Sequence, residues 1–269
     1  MRYPIIATDF DDTLLRNDLT LSPYTLNVIK RYEKKGGTFM VSTGRMYKSI
    51  YNSATRVGLK KGLVISYQGA LVNDMNDGRV LYHKTISTEV SQMITKQLEK
   101  EDAFLHIYSG DELFVKEMNE KTKNYQKVCE VKANVVGQPL SDYIAKNNYN
   151  TTKILAIINP DRAKELNLIY PKLYGEYCDF CISKPYYFEC VPKNVSKGNA
   201  INYICAQRGL SSKDVITFGD SNNDVSMLEY ADLSFAVENG SKEAKKAAKF
   251  ICPSNDDDGV AKIIEKYCL

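Results

Sequence analysis

Ile5-Ile6-Ala7-Thr8-Asp9-Phe10-Asp11-Asp12-Thr13 is the stretch that decides the fold. Its apolar first half predicts a buried β-strand, which ends in three carboxylates within four positions. Asp9 and Asp11 lie two residues apart, so at the end of an extended segment their side chains can lean toward one point, with Phe10 turned into the core. Such a cluster is costly unless a cation lies in it, and Mg²⁺ suits a few carboxylates with room for water and phosphate oxygens.

Two interpretations of this cluster are open from the residues alone. In the functional one, Asp9 is a carboxylate nucleophile and Asp11 a proton donor, with a metal between them and a substrate phosphate. In the other, the cluster is a solvated turn in which Asp11 or Asp12 is a turn residue or a helix cap.

A second segment has the same layout. Thr38-Phe39-Met40-Val41 predicts another buried strand, and it runs into Ser42-Thr43-Gly44-Arg45. A hydroxyl and a glycine therefore stand at the strand's carboxyl end. Thr43 and Gly44 could bind an anion through the hydroxyl and a backbone N–H, or Thr43 could cap a helix that starts near Arg45.

A third segment, Ser196-Lys197-Gly198, marks the start of a predicted helix that runs to Gln207 and has Ser196 as its N-cap. Lys197 lies in the first turn, where positive charge is unfavourable for the helix dipole unless an anion is close by. The alternative is a surface lysine whose stem packs on the protein while its charge reaches water.

A fourth segment combines a predicted buried strand, Asp214-Val215-Ile216-Thr217-Phe218, with Gly219-Asp220-Ser221-Asn222-Asn223-Asp224. In an open parallel sheet, strand ends near the switch point converge on one crevice. Asp220 is therefore expected to meet Asp9 and Asp11 despite their distance in the sequence. The alternative is that Asp220 or Asn222 only caps the helix that follows.

In this order the four segments resemble the motifs of the haloacid dehalogenase superfamily, and the closest resemblance is to its Cof-type hydrolases. These are small-molecule phosphatases with a large cap domain between the second and third motifs. The resemblance implies Mg²⁺ as cofactor, with Asp9, Asp11 and Asp220 as metal ligands and Asp224 as a supporting carboxylate near the metal or Lys197. The substrate phosphate-binding residues that it implies are Phe10, Thr43, Gly44, Lys197 and Asn223.

The expected reaction is the hydrolysis of a small phosphate ester through an aspartyl-phosphate on Asp9. By resemblance, sugar phosphates are the first expectation for the substrate, followed by pyridoxal phosphate or flavin mononucleotide. Two alternatives remain open at this point: a phosphosugar mutase that uses the same Asp9 and Asp11, and a non-catalytic phosphosugar-binding protein.

Two positions depart from the family's pattern. Gln68, in Tyr67-Gln68-Gly69-Ala70, stands where relatives usually have asparagine, so any contact made by that asparagine cannot be transferred to this chain. Asp12 stands where glycine is frequent.

The pattern of predicted elements changes near Lys84, from strands alternating with helices to strands separated by both short turns and helices. This change predicts an α/β fold: a Rossmann-like core with a parallel sheet and an inserted α+β cap domain. The expected boundaries are residues 1–83 for the first part of the core, 84–190 for the cap and 191–269 for the second part of the core.

Composition narrows the possible partners. The net charge is +3 and the basic residues form no long block, so nucleic acid is not expected. No window of about eighteen apolar residues exists, and Asp9 interrupts the apolar opening before a signal-peptide core could form, so we expect a cytoplasmic protein without membrane partners. The seven irregularly spaced cysteines are expected to be reduced. A monomer or weak homo-oligomer is expected.

Overall fold

The computed structural model describes residues 2–269, which form an eight-stranded and a six-stranded sheet with helices packed on them. The strands are β1 (Ile5–Asp9), β2 (Thr38–Ser42), β3 (Leu63–Ser66), β4 (Leu71–Asp74), β5 (Val80–His83), β6 (Phe104–Ser109), β7 (Glu112–Val115), β8 (Ala133–Val135), β9 (Lys153–Ile157), β10 (Cys178–Lys184), β11 (Tyr187–Pro192), β12 (Val215–Gly219), β13 (Leu233–Val237) and β14 (Phe250–Cys252). The helices are α1 (Pro23–Lys34), α2 (Tyr47–Arg56), α3 (Thr88–Leu98), α4 (Glu120–Cys129), α5 (Leu140–Asn147), α6 (Pro160–Tyr174), α7 (Lys197–Gln207), α8 (Val225–Tyr230), α9 (Lys242–Ala247) and α10 (Gly259–Cys268).

The larger sheet has the strand order β14-β13-β12-β1-β2-β3-β4-β5. Its strands from β14 to β3 are parallel, and β4 pairs antiparallel to β3. The first strand, β1, lies between β12 and β2, so the chain order reverses at its sides. This is the switch point at which strand ends open onto a crevice.

Both faces of β1 are buried. Ile5 and Ala7 pack with α7 and α8 on one face, whereas Ile6 packs with α1 and α10 on the other. The predicted helix starts are confirmed, since the hydroxyls of Ser22 and Ser196 accept hydrogen bonds from the first turns of α1 and α7. The parallel α/β core and a second sheet in the insert confirm the predicted fold class.

Residues 83–195 form the second compact unit, and the first comprises residues 1–82 with 196–269. The second sheet has the order β10-β11-β9-β6-β7-β8, and its pairings are antiparallel except for β7 with β8. One apolar cluster joins this sheet to α3, α5 and α6. The sequence expectation ended the insert at residue 190, but β11 continues to Pro192, which pairs with Cys178 in β10.

The sequence patterns above do not predict β8 and α5. The reason for α5 is that its N-terminus has no local side-chain cap, because Pro139 occupies that position. The Glu99 carboxylate supplies the cap instead, accepting hydrogen bonds from Ser141 N at 3.1 Å and Ser141 Oγ at 2.6 Å. A cap that comes from Glu99, just after α3, leaves no mark in the sequence around α5.

The remaining composition-based expectations concern membranes and thiols. Among residues 2–269, none of the helices combines the length and apolar character needed to cross a bilayer. All seven cysteines are free, as predicted.

Candidate active site

The carboxyl ends of three adjacent parallel strands meet at one place in the first unit. Asp9 ends β1 opposite Ser42, which ends β2, and Asp220 directly follows β12. Lys197, the first residue of α7, reaches the same place. The predicted convergence of Asp9 and Asp220 is thus present, although more than two hundred residues separate them in the sequence.

Lys197 has no exposed surface and is held entirely by oxygen atoms. Its Nζ donates hydrogen bonds to Asp9 Oδ1 at 2.5 Å, Asp224 Oδ1 at 2.6 Å and the Ser42 carbonyl oxygen at 3.2 Å. Such acceptors offset the cost of burying an ammonium group. The interpretation of Lys197 as a surface lysine is therefore excluded.

Asp224 is also fully buried, and both of its oxygens are occupied. While Oδ1 accepts from Lys197, Oδ2 accepts from the backbone N–H groups of Asp220 at 2.9 Å and Ser221 at 3.0 Å. Ser221, rather than Asp220 or Asn222, is the N-cap of the short turn that follows. Asp224 therefore fixes both the lysine and the loop that carries Asp220.

Carboxylate oxygens of Asp9, Asp220 and Asp224 lie within 4.8 Å of one another. The Thr13 hydroxyl donates to Asp220 Oδ1 at 2.7 Å, which leaves the second oxygen of Asp220 open. Three carboxylates thus surround one ammonium group, and two of them offer oxygens of the kind that Mg²⁺ prefers. The donor set fits a hard divalent cation.

The pKa values of Asp9, Asp220 and Lys197 are all raised. Burial raises the pKa of the Asp9 carboxyl well above its ordinary value, although the charge of Lys197 opposes the shift. Burial also raises the pKa of Asp220 to about 6, against the hydrogen bond from Thr13. For Lys197, burial lowers the pKa, but attraction to Asp9 and Asp224 outweighs it and the pKa is raised. All three shifts favour the proton-bound form, and a cation bound near Asp9 and Asp220 would oppose the shifts of these two carboxyls.

Asp11 was expected to join Asp9 and Asp220, but its side chain is bound to Arg45 and is not among the carboxylates that lie together. The guanidinium of Arg45 holds both carboxylate oxygens, with Nε 2.9 Å from Oδ2 and the second nitrogen on Oδ1. Arg45 also donates to Ser53 Oγ at 3.3 Å. Arg45 is part of the second motif, but its sequence context alone predicts no role for it. An arginine at the carboxyl end of a strand, beside a strand that ends in carboxylates, was the available signal.

The second motif takes a loop conformation before its helix. The Thr43 hydroxyl accepts a hydrogen bond from Arg45 N at 3.2 Å, but α2 begins only at Tyr47, so Thr43 is not its N-cap. Phe10 is predicted to bind phosphate, yet its side chain is fully buried in the apolar core. Any contact from Phe10 to a ligand would therefore come from its backbone.

Asn223 and Gln68 form a pair that the sequence does not reveal. Asn223 Nδ2 donates to Gln68 Oε1 at 3.2 Å, while Asn223 Oδ1 accepts from Ser221 Oγ at 2.5 Å. The Gln68 amide lies over Gly44, because a Cβ added to Gly44 would stand 2.4 Å from Gln68 Nε2. The signal for Gln68 was its departure from the family's asparagine.

The second departure, Asp12, has a backbone explanation. Its φ is +59°, in the left-handed region that glycine enters freely and aspartate tolerates better than most residues. Its carbonyl oxygen accepts a hydrogen bond from Asn239 Nδ2 at 2.7 Å. The turn after Asp11 therefore keeps the conformation for which glycine is usually needed.

The family model for haloacid dehalogenase-like hydrolases matches residues 6–264. A Streptococcus pyogenes protein whose name contains the word phosphatase is 28% identical, with 100% of both chains aligned. The 5-amino-6-(5-phospho-D-ribitylamino)uracil phosphatase of Bacillus subtilis is 26% identical over 98% of this chain and 97% of its own.

The fold is also that of solved structures. A crystal structure from Thermotoga maritima has a TM-score of 0.88 and 29% identity, covering 99% of this chain and 98% of its own. Since the family model covers nearly every residue, including all four motifs, the chain belongs to the haloacid dehalogenase-like hydrolase family.

Proposed function

We propose that the protein is a Mg²⁺-dependent phosphatase that hydrolyses small phosphorylated metabolites through a phosphoryl-aspartate at Asp9. Its family and the phosphatase names of full-length relatives support phosphatase action on small phosphate esters. The observation that carries the mechanism is the Asp9–Lys197 contact. Of the two carboxylate oxygens of Asp9, Lys197 binds only Oδ1. We therefore assign Oδ2 to the attack on phosphorus.

We assign the Mg²⁺ to Asp9 and Asp220, whose oxygens lie close together. Bound there, the ion would offset the negative charge of the phosphoryl group and hold it in place. The Asp11 side chain is predicted to act as a metal ligand and as the acid and base of the reaction. Both roles require its carboxylate to leave Arg45. Asp224 is assigned a supporting role, because both of its oxygens are already committed.

The chain's own residues then divide the reaction. Asp9 forms a bond to phosphorus while the ester P–O bond breaks, and Asp11 gives its proton to the leaving oxygen. Water next attacks phosphorus, its proton returns to Asp11, and the Asp9–phosphorus bond breaks to release inorganic phosphate. Lys197 reduces the repulsion between the two anions, and Thr43, Gly44 and Asn223 hold phosphoryl oxygens. Phosphate monoesters are so inert that the acceleration can approach about 10²¹-fold, hence the need for several such groups.

For the substrate we propose sugar phosphates, with pyridoxal phosphate or flavin mononucleotide as the next candidates. The Bacillus subtilis relative is named for a substrate that carries a phosphorylated ribityl chain, and this supports a phosphorylated polyol. A screen for phosphate release over a panel of metabolites with Mg²⁺ would identify the compound. Release without a sugar bisphosphate activator would exclude a mutase as the main activity.

The mechanism is tested with Asp9→Asn and Asp11→Asn, assayed on an aryl phosphate with Mg²⁺ and again with a chelator. We expect Asp9→Asn to lower kcat/KM by about 10⁴-fold or more, because the nucleophile is lost. Asp11→Asn should lower it by about 10²-fold to 10⁴-fold, because the acid and base are lost. Chelation should abolish turnover by the wild type.

Asp12→Asn is the matched control. It removes an exposed carboxylate from the same turn, and asparagine tolerates the left-handed φ of this position. Its turnover should stay within a few-fold of the wild type. Wild-type turnover by Asp9→Asn, or an equal loss in all three variants, would refute the assignment of Asp9 as nucleophile.

A further inference from the structure

The turn Tyr67–Gly69 has a strained backbone. Its three residues all have positive φ, at +50° for Tyr67, +59° for Gln68 and +109° for Gly69. Two of them carry side chains, and Tyr67 is bulky and fully buried, so this conformation is unfavourable unless the surroundings impose it. Strained residues of this kind cluster at active sites, ligand clamps and switch regions.

The surroundings that hold the turn are the second and third motifs. Tyr67 N donates to the Arg45 carbonyl oxygen at 2.9 Å, and Gln68 N donates to the Thr43 carbonyl oxygen at 3.1 Å. On the other side, a Cβ at Gly69 would stand 2.2 Å from the Ser196 carbonyl oxygen. The backbone of residue 68 is therefore fixed between these two motifs.

The side chain of Gln68 ends a directed series of hydrogen bonds. Ser221 Oγ donates to Asn223 Oδ1, and Asn223 Nδ2 donates to Gln68 Oε1. The amide oxygens of Asn223 and Gln68 both accept these hydrogen bonds. The nitrogen of each amide therefore points away from the donor that its oxygen binds. Gln68 Nε2 is the last donor, and it meets no acceptor among residues 2–269. It lies beside the Thr43–Gly44 loop, to which we assigned the phosphoryl oxygens.

We propose that Gln68 is a further substrate-binding residue, whose Nε2 donates a hydrogen bond to an oxygen of the bound phosphate ester while its Oε1 positions Asn223. This inference rests on the proposed function, because it needs an anionic ligand in the site. The two N–H groups of Gln68 Nε2 meet no acceptor among residues 2–269 and lie next to the Thr43–Gly44 loop. Such donors suit a phosphate oxygen.

The test compares Gln68→Glu, Gln68→Ala and Gln68→Asn with the wild type in two measurements. The first is the inhibition constant of inorganic phosphate, and the second is the separate determination of KM and kcat for an aryl phosphate with Mg²⁺. Gln68→Glu keeps the size and the acceptor but replaces the donor with an acceptor that repels phosphate. We expect it to raise the phosphate inhibition constant and KM by at least about tenfold, with a smaller change in kcat. Gln68→Ala should raise both by about tenfold.

Gln68→Asn retains the amide and the tolerance of positive φ, so it should recover part of the affinity that Gln68→Ala loses. Gln97→Glu is the matched control, because it adds the same charge to a partly exposed amide of α3, and it should change neither constant. Melting temperatures of all variants reveal any loss of folding.

Wild-type inhibition and KM in Gln68→Glu would overturn the role of Gln68 while leaving the phosphatase intact. So would a loss of kcat and melting temperature at unchanged inhibition constant, which indicates a structural role only. If the wild type neither hydrolyses a phosphate ester nor binds inorganic phosphate, the proposed function itself fails and this inference with it.

Discussion

The two units of the chain each bury a lysine, and they treat it very differently. In the first unit, Lys197 has three oxygen atoms within 3.2 Å, two of them carboxylate oxygens. In the second unit, Lys153 is 4% exposed, but its Nζ is 3.5 Å from Glu189 Oε1 and 4.9 Å from the ring centroid of Tyr108. The first lysine is held at hydrogen-bond distance on all sides, and the second is only loosely paired.

The contacts of Lys197 and Lys153 indicate which of the two buried ammonium groups is suited to catalysis. Burial of an ammonium is unfavourable in both units, so each lysine needs compensation. The Glu189 oxygen that faces Lys153 accepts a much shorter bond, 2.6 Å, from Ser183 Oγ. The second unit therefore satisfies its carboxylate largely with a hydroxyl and its ammonium largely with an aromatic ring. The first unit fixes its ammonium between the proposed nucleophile and a structural carboxylate, as a catalytic group requires.

Removing each ammonium group in turn tests this difference between the two lysines most directly. Lys197→Met should lower aryl phosphate turnover by about 10³-fold or more, because the cation that is paired with the proposed nucleophile Asp9 is lost. It should also destabilise the fold by about 3–5 kcal/mol, since Asp9 and Asp224 would remain buried without their cation. Turnover assays and denaturant unfolding measure the two effects.

Lys153→Met is the matched variant from the second unit. Because Glu189 keeps its bond from Ser183, the loss of stability should be smaller, and aryl phosphate turnover should remain within about tenfold of the wild type. Equal losses of turnover in both variants would show that close partnering does not distinguish the catalytic lysine.

A second comparison uses glycines with positive φ in the two units. Gly69, in the first unit, has φ +109°, and an added Cβ would stand 2.2 Å from a backbone oxygen of Ser196. Gly137, in the second unit, has φ +67°, and an added Cβ would meet nothing within 4 Å. Both alanine variants suffer the backbone strain, at about 1–2 kcal/mol. Gly69→Ala should cost about 2 kcal/mol beyond that, because the neighbouring backbone has to shift.

Denaturant unfolding of Gly69→Ala and Gly137→Ala measures this difference. We also expect Gly69→Ala to impair turnover, since the displaced oxygen belongs to the residue before Lys197, whereas Gly137→Ala should retain full activity. Equal destabilisation by the two substitutions would mean that the close approach of the turn to α7 does not constrain the site.

Features that depend on a few consecutive residues, or on one rule of sheet topology, could be predicted from the sequence. Local chemistry carried the helix starts at Ser22 and Ser196, because an N-cap is a property of a few consecutive residues. Strand ends that carry Asp9 and Asp220 were predictable because parallel strands of an open sheet place their carboxyl ends together. The fold and the centre of the site therefore followed from short patterns combined with one topological rule.

What the sequence could not give are contacts between side chains from distant segments. Arg45 reaches Asp11 and Asn223 reaches Gln68 only after folding, and no spacing rule joins these pairs. The cap of α5 comes from Glu99, the residue that follows α3, for the same reason. The amide pair connects the fourth motif to the turn Tyr67–Gly69, so the unpredicted contacts set the fine geometry of the site rather than its location.

The smallest expected effect concerns protons, for which the two units again differ. In the first unit, burial raises the pKa of Asp220 to about 6, so that carboxyl retains a proton more readily. In the second unit, burial, aided by the charge of Lys153, lowers the pKa of His106 to about 3. His106 is fully buried, and its Nε2 is 2.9 Å from Thr122 Oγ1. The neutral imidazole is therefore the form that the fold accepts.

The sign of the effect follows from linkage. The unfolded chain protonates His106 near its ordinary pKa of 6.5, whereas the folded chain does so only near 3, so the unfolded state binds more protons between these values. The stabilising contribution of neutral His106 is complete above pH 6.5 and is lost as the pH falls, at about 1.4 kcal/mol per pH unit. Between pH 7 and pH 5 we expect a loss of about 2 kcal/mol in the free energy of unfolding from this residue.

His106→Gln should remove that part of the pH dependence, as denaturant unfolding at the two pH values would measure. His83→Gln is the control: burial also lowers the pKa of His83, but it is less buried, so its removal should flatten the pH dependence less. Identical pH dependence in the wild type and His106→Gln would show that His106 is protonated in the fold without penalty, and the proposed contrast between the two units would fail.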